Sequence, residues 1–151
     1  MKVKALIFFL AFFLTNVNLT DIRSLYSQVT ISKDKQSDFI SYMENVESKT
    51  AVIQAYKGAA LILQSKSSTK NRKQIFTAGA KLIEESISKE PNNIEIRLIR
   101  LSIQENIPKA LKYNANIQED VNFIQKHKNA IKDSELKSYV NQYVELSRSF
   151  K

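Results

Sequence analysis

The sequence predicts an all-α fold, an array or bundle of about six to seven short antiparallel helices behind an N-terminal signal peptide. Three observations predict it. The 151 residues include only two glycines and two prolines, too few for the many tight turns of an all-β chain. Apolar residues recur at three- and four-residue spacing along most of the chain. Hydrophobic residues make up 43% and charged residues 25%, the balance of one folded domain rather than a disordered chain.

The N-terminus carries the compartment signal. Met1–Lys4 holds two lysines, and Ala5–Leu14 (ALIFFLAFFL) is wholly apolar. Polar residues follow from Thr15 to Asp21. A basic start, a short greasy core and a polar exit describe a secretory signal peptide. A membrane-spanning helix needs about 20 apolar residues. The expected division is therefore a signal peptide over residues 1–20, cut between Asn16 and Asp21, and a single helical domain over 21–151. The mature chain would be periplasmic or extracellular and not integral to a membrane.

The chain has no cysteine. That excludes disulfides, zinc–thiolate sites, a thiol nucleophile and a lipoprotein-type lipid attachment. The net charge is +8, falling to about +6 once Lys2 and Lys4 leave with the leader. A basic exported chain meets anionic headgroups, acidic glycans or acidic proteins, and nucleic acid is not an expected partner.

The first helix is expected over Asp21–Val29, capped by Thr20 or Asp21, with Ile22, Leu25, Tyr26 and Val29 on its apolar face. Ser32–Ser37 reads as a polar connection. A second helix over Ser37–Val46 turns Phe39, Ile40 and Met43 inward. The third, Thr50–Gln64, carries Val52, Ala55, Tyr56, Ala59, Ala60 and Leu63. Gly58 costs that helix about 1 kcal/mol relative to alanine, so a close neighbour is its expected reason. Ser65–Lys73 reads as a loop and holds a candidate basic patch of Lys66, Lys70, Arg72 and Lys73. The patch either contacts an anionic surface or is a solvated turn between helices. The fourth helix, Lys73–Lys89, is strongly amphipathic through Ile75, Phe76, Gly79, Leu82, Ile83 and Ile87. Lys81 and Glu85 stand one turn apart on its outer side. Pro91 ends it.

Phe76, Gly79, Ile83, Ser86 and Pro91-Asn92-Asn93 have the spacing seen along the second helix of a tetratricopeptide repeat. Tyr56, Gly58 and Ala59 could stand in its first helix. The stretch Ala51–Asn93 thus resembles a degenerate tetratricopeptide-like hairpin. The resemblance implies stacked helical pairs, a hairpin array more than a true repeat protein, since the connection is too long for the usual repeat unit and the helix after Asn93 departs from the pattern. With its leader, YKGAA and NIEIRLIRLSIQENIPKALKYNANIQED, the whole chain resembles small exported proteins of Bacteroidetes-type bacteria. That likeness implies a compartment and a helical fold but no reaction.

Ile94–Ile103 (IEIRLIRLSI) begins like a strand, alternating apolar and polar, until Leu98-Ile99 breaks the alternation. Read as a helix, Ile94, Leu98 and Leu101 share one face, and Ile96, Ile99 and Ile103 the other. Such a helix is central, with neighbours on both sides. Arg97, Arg100 and Gln104 line a narrow polar stripe between those faces. They either form an anion- or partner-binding stripe, since guanidinium forks match carboxylate or phosphate, or pair internally with Glu84, Glu85 or Glu119. Pro108 stops this helix, and Lys109–Asn116 reads as a turn. Asn116 with Glu119 suggests a capping box for a helix over Ile117–Ile131. A last helix, Glu135–Phe150, is capped by Asp133 or Ser134 and packs through Leu136, Val140, Tyr143, Val144 and Ser147.

Catalytic chemistry finds little footing. His127 is the single histidine, and it is expected on the surface, without metal partners. Adjacent acids such as Glu84-Glu85 point apart on a helix and form no ready dyad. The expectation is a non-catalytic module without metal or cofactor. It would bind an unknown protein or peptide in the bacterial envelope, or, alternatively, anionic lipid or glycan through its basic residues.

Overall fold

The computed structural model describes residues 17–151. Most of the expected leader, residues 1–16, lies outside the described residues. Seven α-helices follow: α1 (Leu19–Ser27), α2 (Lys33–Glu44), α3 (Ala51–Ser67), α4 (Arg72–Lys89), α5 (Ile94–Asn106), α6 (Ile117–His127) and α7 (Ser134–Leu146). Three single 3-10 turns follow α5, α6 and α7. Among the described residues there is no strand. None of their helices is long and apolar enough to cross a membrane.

Several ends differ from expectation, each for a local reason. Asn18, not Thr20 or Asp21, caps α1, its side chain accepting from the Thr20 N–H at 3.0 Å. The expected 20/21 boundary therefore falls inside a capped helix. Ser32 caps α2 through the Lys35 N–H, so the supposed connection Ser32–Ser37 is the helix's first turn. The loop between α3 and α4 shrinks to Ser68–Asn71, and Asn71 takes a left-handed conformation, φ 57°. This backbone state is tolerated by asparagine better than by most residues. The capping box at Asn116 does not form. The Asn116 side-chain oxygen is taken by the Gln104 amide, and its nitrogen donates to Glu119 at 3.0 Å. Asp133 does cap α7, accepting from the Glu135 and Leu136 N–H groups.

Helices α3 and α4 form a tight antiparallel hairpin, and both glycines of the chain sit at its crossing. A Cβ built on Gly58 would stand 2.6 Å from the Gly79 carbonyl oxygen, and one on Gly79 would stand 2.6 Å from that of Gly58. Only hydrogen side chains let the two backbones meet there.

The α5 helix is the partition of the molecule. Its Ile96, Ile99 and Ile103 belong to a larger apolar cluster with Ile22, Phe39, Tyr56, Ile62 and Ile83 from α1–α4. Its Ile94, Leu98 and Leu101 belong to a second cluster with Val121, Ile124 and Val140 from α6 and α7. Eleven residues of α5 are buried, Ile94 through Gln104. At roughly 25 cal/mol per Å2 of apolar surface, a helix buried on both faces is worth far more as a packing element than its intrinsic propensity.

Candidate functional site

A helix with apolar residues on two faces must place its polar residues between them, and there water cannot reach. Each such residue of α5 is met by polar groups from elsewhere in the chain. At the N-terminal end, Glu95 accepts two bonds from Arg23 of α1, both 2.8 Å, and one from the Tyr56 hydroxyl at 2.9 Å. The Glu95 bonds hold the Arg23 guanidinium above its ordinary value, against burial. Two residues on, Arg97 donates to the Pro91 carbonyl at 2.8 Å, to Glu119 at 2.7 Å and to Asp120 at 3.0 Å. It also lies 4.4 Å from the centre of the Phe123 ring, a cation–π distance. Arg100 forks onto both oxygens of Asp120 at 2.7 Å and reaches Glu84 at 2.9 Å. Asp120 is fully buried. Burial opposes the charge of Arg100 most strongly, but Asp120 and Glu84 together outweigh it and hold the guanidinium above its ordinary value. The Arg97 bond, followed by that of Asn116, holds the Glu119 carboxyl below the usual range. Gln104 exchanges bonds with Asn116, at 3.3 and 3.1 Å.

The predicted stripe is thus brought together as a unit, and its partners are the chain's own. Glu84 and Glu119 are two of the three acids expected, and Asp120 is added. Glu85 turns instead to Gln54 and Lys81. Among the described residues, no buried side-chain nitrogen or oxygen lacks a hydrogen-bond partner, as a low-dielectric interior requires.

The basic patch is split by the fold. Arg72 donates to the Ser68 and Lys66 carbonyls, closing the C-terminal end of α3. Lys70 and Lys73 remain exposed. Lys66 points the other way and donates to the Asn106 carbonyl at the end of α5, at 3.4 Å. His127 is not wholly a surface residue: it is half-buried, stacked on Phe123 with ring centres 4.4 Å apart. Among the described residues, no group of histidine and carboxylate side chains is placed to hold a metal ion.

One concave site was not foreseen. A cleft of about 670 Å3 opens where the α1–α2 link, the last turn of α3, the end of α5 and α7 meet. Leu63 and Ile103 contribute apolar floor, and Tyr26, Tyr139 and Tyr143 contribute ring edges. Glu105 is held inside it by the Tyr143 hydroxyl, by Ser147 Oγ at 2.7 Å and by the Ser149 N–H at 3.2 Å. Lys33, Lys66 and Arg148 complete the lining. Leu146, on one lip, is 72% exposed, and Ile31, between lining residues Thr30 and Ser32, is 71% exposed. Burial pulls the Lys66 ammonium below its ordinary value.

Comparison with protein-family models, curated proteins and solved structures finds no match for this chain. The function must be argued from the site alone. The cleft is built from segments far apart in sequence, so no local motif announces it. One signal was available: Ile31 and Leu146 are apolar residues that fall off every helical stripe, and such residues end exposed.

The tyrosines give the interior a pH signature. Burial raises Tyr26, Tyr56, Tyr113, Tyr139 and Tyr143 above the ordinary tyrosine range. An unfolded chain ionises its tyrosines near pH 10. The raised groups therefore contribute stability that is complete below that pH and is lost as pH climbs toward their folded values. We expect tyrosinate absorbance and loss of helical circular dichroism to rise together above about pH 10. Gradual ionisation of these five tyrosines near pH 10 with the helices intact would refute the burial assigned to them.

Proposed function

We propose that this chain is an exported, non-catalytic binding module that holds a segment of a polypeptide partner in the cleft between α1, α3, α5 and α7. The carrying observation is a cleft of about 670 Å3 with the exposed apolar side chain of Leu146 in its lining and exposed Ile31 next in sequence to its lining residues Thr30 and Ser32. That volume lies in the range that encloses a ligand group or a few side chains. Exposed apolar side chains beside a concavity are what a partner would cover. The tetratricopeptide-like spacing of Phe76, Gly79, Ile83 and Ser86 supports a helical scaffold whose concave side does the binding. The basic, apolar and polar run of Met1–Asp21 supports export, and the mass of the mature chain from an envelope fraction tests it.

The binding test is selection from a displayed random peptide library on the intact chain and on Ile31→Asn/Leu146→Asn. Both positions are exposed, so the double variant should keep its helical circular dichroism. Peptides enriched on the native chain are expected to lose most of their affinity for the variant. Absence of enrichment, or binding indifferent to the two substitutions, would overturn the reading. A second reading is kept by one observation: Lys70 and Lys73 are exposed, with no salt-bridge partner among the described residues. These lysines support contact with anionic lipid or glycan, which charge-neutral substitutions there would weaken.

A further inference from the structure

The cleft has an unbalanced charge. Lys33, Lys66 and Arg148 line it, and Glu105 is its one carboxylate. Glu105 is already engaged by Tyr143, Ser147 and Ser149. Among the described residues, none of the three cations has a carboxylate within salt-bridge distance. Lys66 spends one of its donors on a neutral carbonyl and keeps two.

We propose that the occupant of the cleft is an acidic peptide segment. Its apolar side chains would lie against Leu63, Ile103 and Leu146, and its carboxylates would face Lys33, Lys66 and Arg148. The inference rests on the polypeptide-binding reading above and gives that partner its chemistry. Charge complementarity carries it: uncompensated cations beside an apolar floor select a carboxylate-bearing partner and speed its encounter. Polar groups on the walls favour a peptide over a lipid chain. The Thr30 and Gln142 side chains make no hydrogen bond with the described residues, and the Gln36 side chain uses only its amide nitrogen, on the Leu63 carbonyl. These groups match the donors and acceptors of a peptide backbone, whereas an acyl chain would leave them unpaired.

The test repeats the library selection with charge as the variable. Peptides enriched on the intact chain are expected to combine Asp or Glu with Leu, Ile or Phe. Their affinity should fall about tenfold on Lys33→Glu/Arg148→Glu, and weaken with added salt. Lys126→Glu/Lys132→Glu makes the same change in net charge at exposed positions outside the cleft lining and should leave that affinity within about twofold. Enrichment of neutral or basic peptides that still require Ile31 and Leu146 would overturn the acidic occupant and leave the binding reading standing. No enrichment at all would overturn both. Equal losses in the two charge variants would overturn the proposal in favour of a general charge effect. Cleft-dependent sedimentation with phosphatidylglycerol vesicles, without peptide enrichment, would overturn it in favour of a lipid surface.

Discussion

Asp120→Ala is expected to destabilise the fold by about 3–5 kcal/mol, the cost of breaking a buried ion pair from one side. Asp120 is the shared inner partner of Arg97 and Arg100. The Arg100 side chain is only 3% exposed, so its charge cannot turn to water when the carboxylate goes. Glu84 and Glu119 hold the outer edges of the two guanidiniums, and both are about half-exposed. They cannot fill the inner position, because they reach the arginines from the solvent side. A domain of this size is stable by only about 5–15 kcal/mol, so the variant should sit close to unfolding. The urea midpoint measures the effect. Replacing all three, with Arg97→Met and Arg100→Met added to Asp120→Ala, should recover a large part of the loss, since no charge is then left buried alone. A midpoint for Asp120→Ala close to the native one would mean that the arginines do not depend on it.

Gly58→Ala is expected to destabilise by about 2 kcal/mol or more, although alanine is the better helix former by about 1 kcal/mol. Propensity and packing thus predict opposite signs. Packing wins because the added carbon meets the Gly79 carbonyl oxygen at 2.6 Å and the Ile83 backbone nitrogen at 3.2 Å. No rotamer change relieves a clash with backbone, so α3 and α4 must move apart along their whole contact. Gly79→Ala should behave alike, since its added carbon meets the Gly58 oxygen at the same distance. The double variant should cost less than the sum, because helices already separated by one methyl accommodate the second. Thermal unfolding of the four chains closes the cycle. A melting temperature that rises in either single variant would show that the crossing is looser than described.

The division of α5 was legible because its six large apolar residues obey one rule of angle, and burial follows angle. Ile96, Ile99 and Ile103 lie in one cluster, and Ile94, Leu98 and Leu101 in the other, as the spacing implies. Gly58 was legible as a close approach, because a glycine inside a helix needs a reason. The partner of that approach is Gly79, and only tertiary structure pairs them. Asp120 was harder to find than Glu119, since which of two adjacent acids faces inward depends on the rotation of α6. Val121 and Ile124 set that rotation by burying themselves. The Arg23–Glu95 pair spans 72 residues, and no local pattern encodes it. Helix ends shifted for a simpler reason. Asn18 caps as well as Thr20 or Asp21, so α1 shifts by two residues at the same length of nine, and Ser32 lets α2 run to twelve residues and gain hydrogen bonds. The cleft had no sequence signature because its walls come from four segments.

The same 72-residue span sets an order of events as the chain is made. α1 carries Arg23 and Tyr26, whose partners Glu95 and Ser102 both belong to α5. At synthesis rates of about 5–20 residues per second, those partners follow several seconds later. Until then the first helix can pack on α2 and α3 through Ile22 and Tyr26, but its arginine has no counter-ion. The α3–α4 hairpin, joined by a short link, can close on itself in the meantime. The buried polar groups of α1 are therefore among the first to be synthesised and among the last to be satisfied.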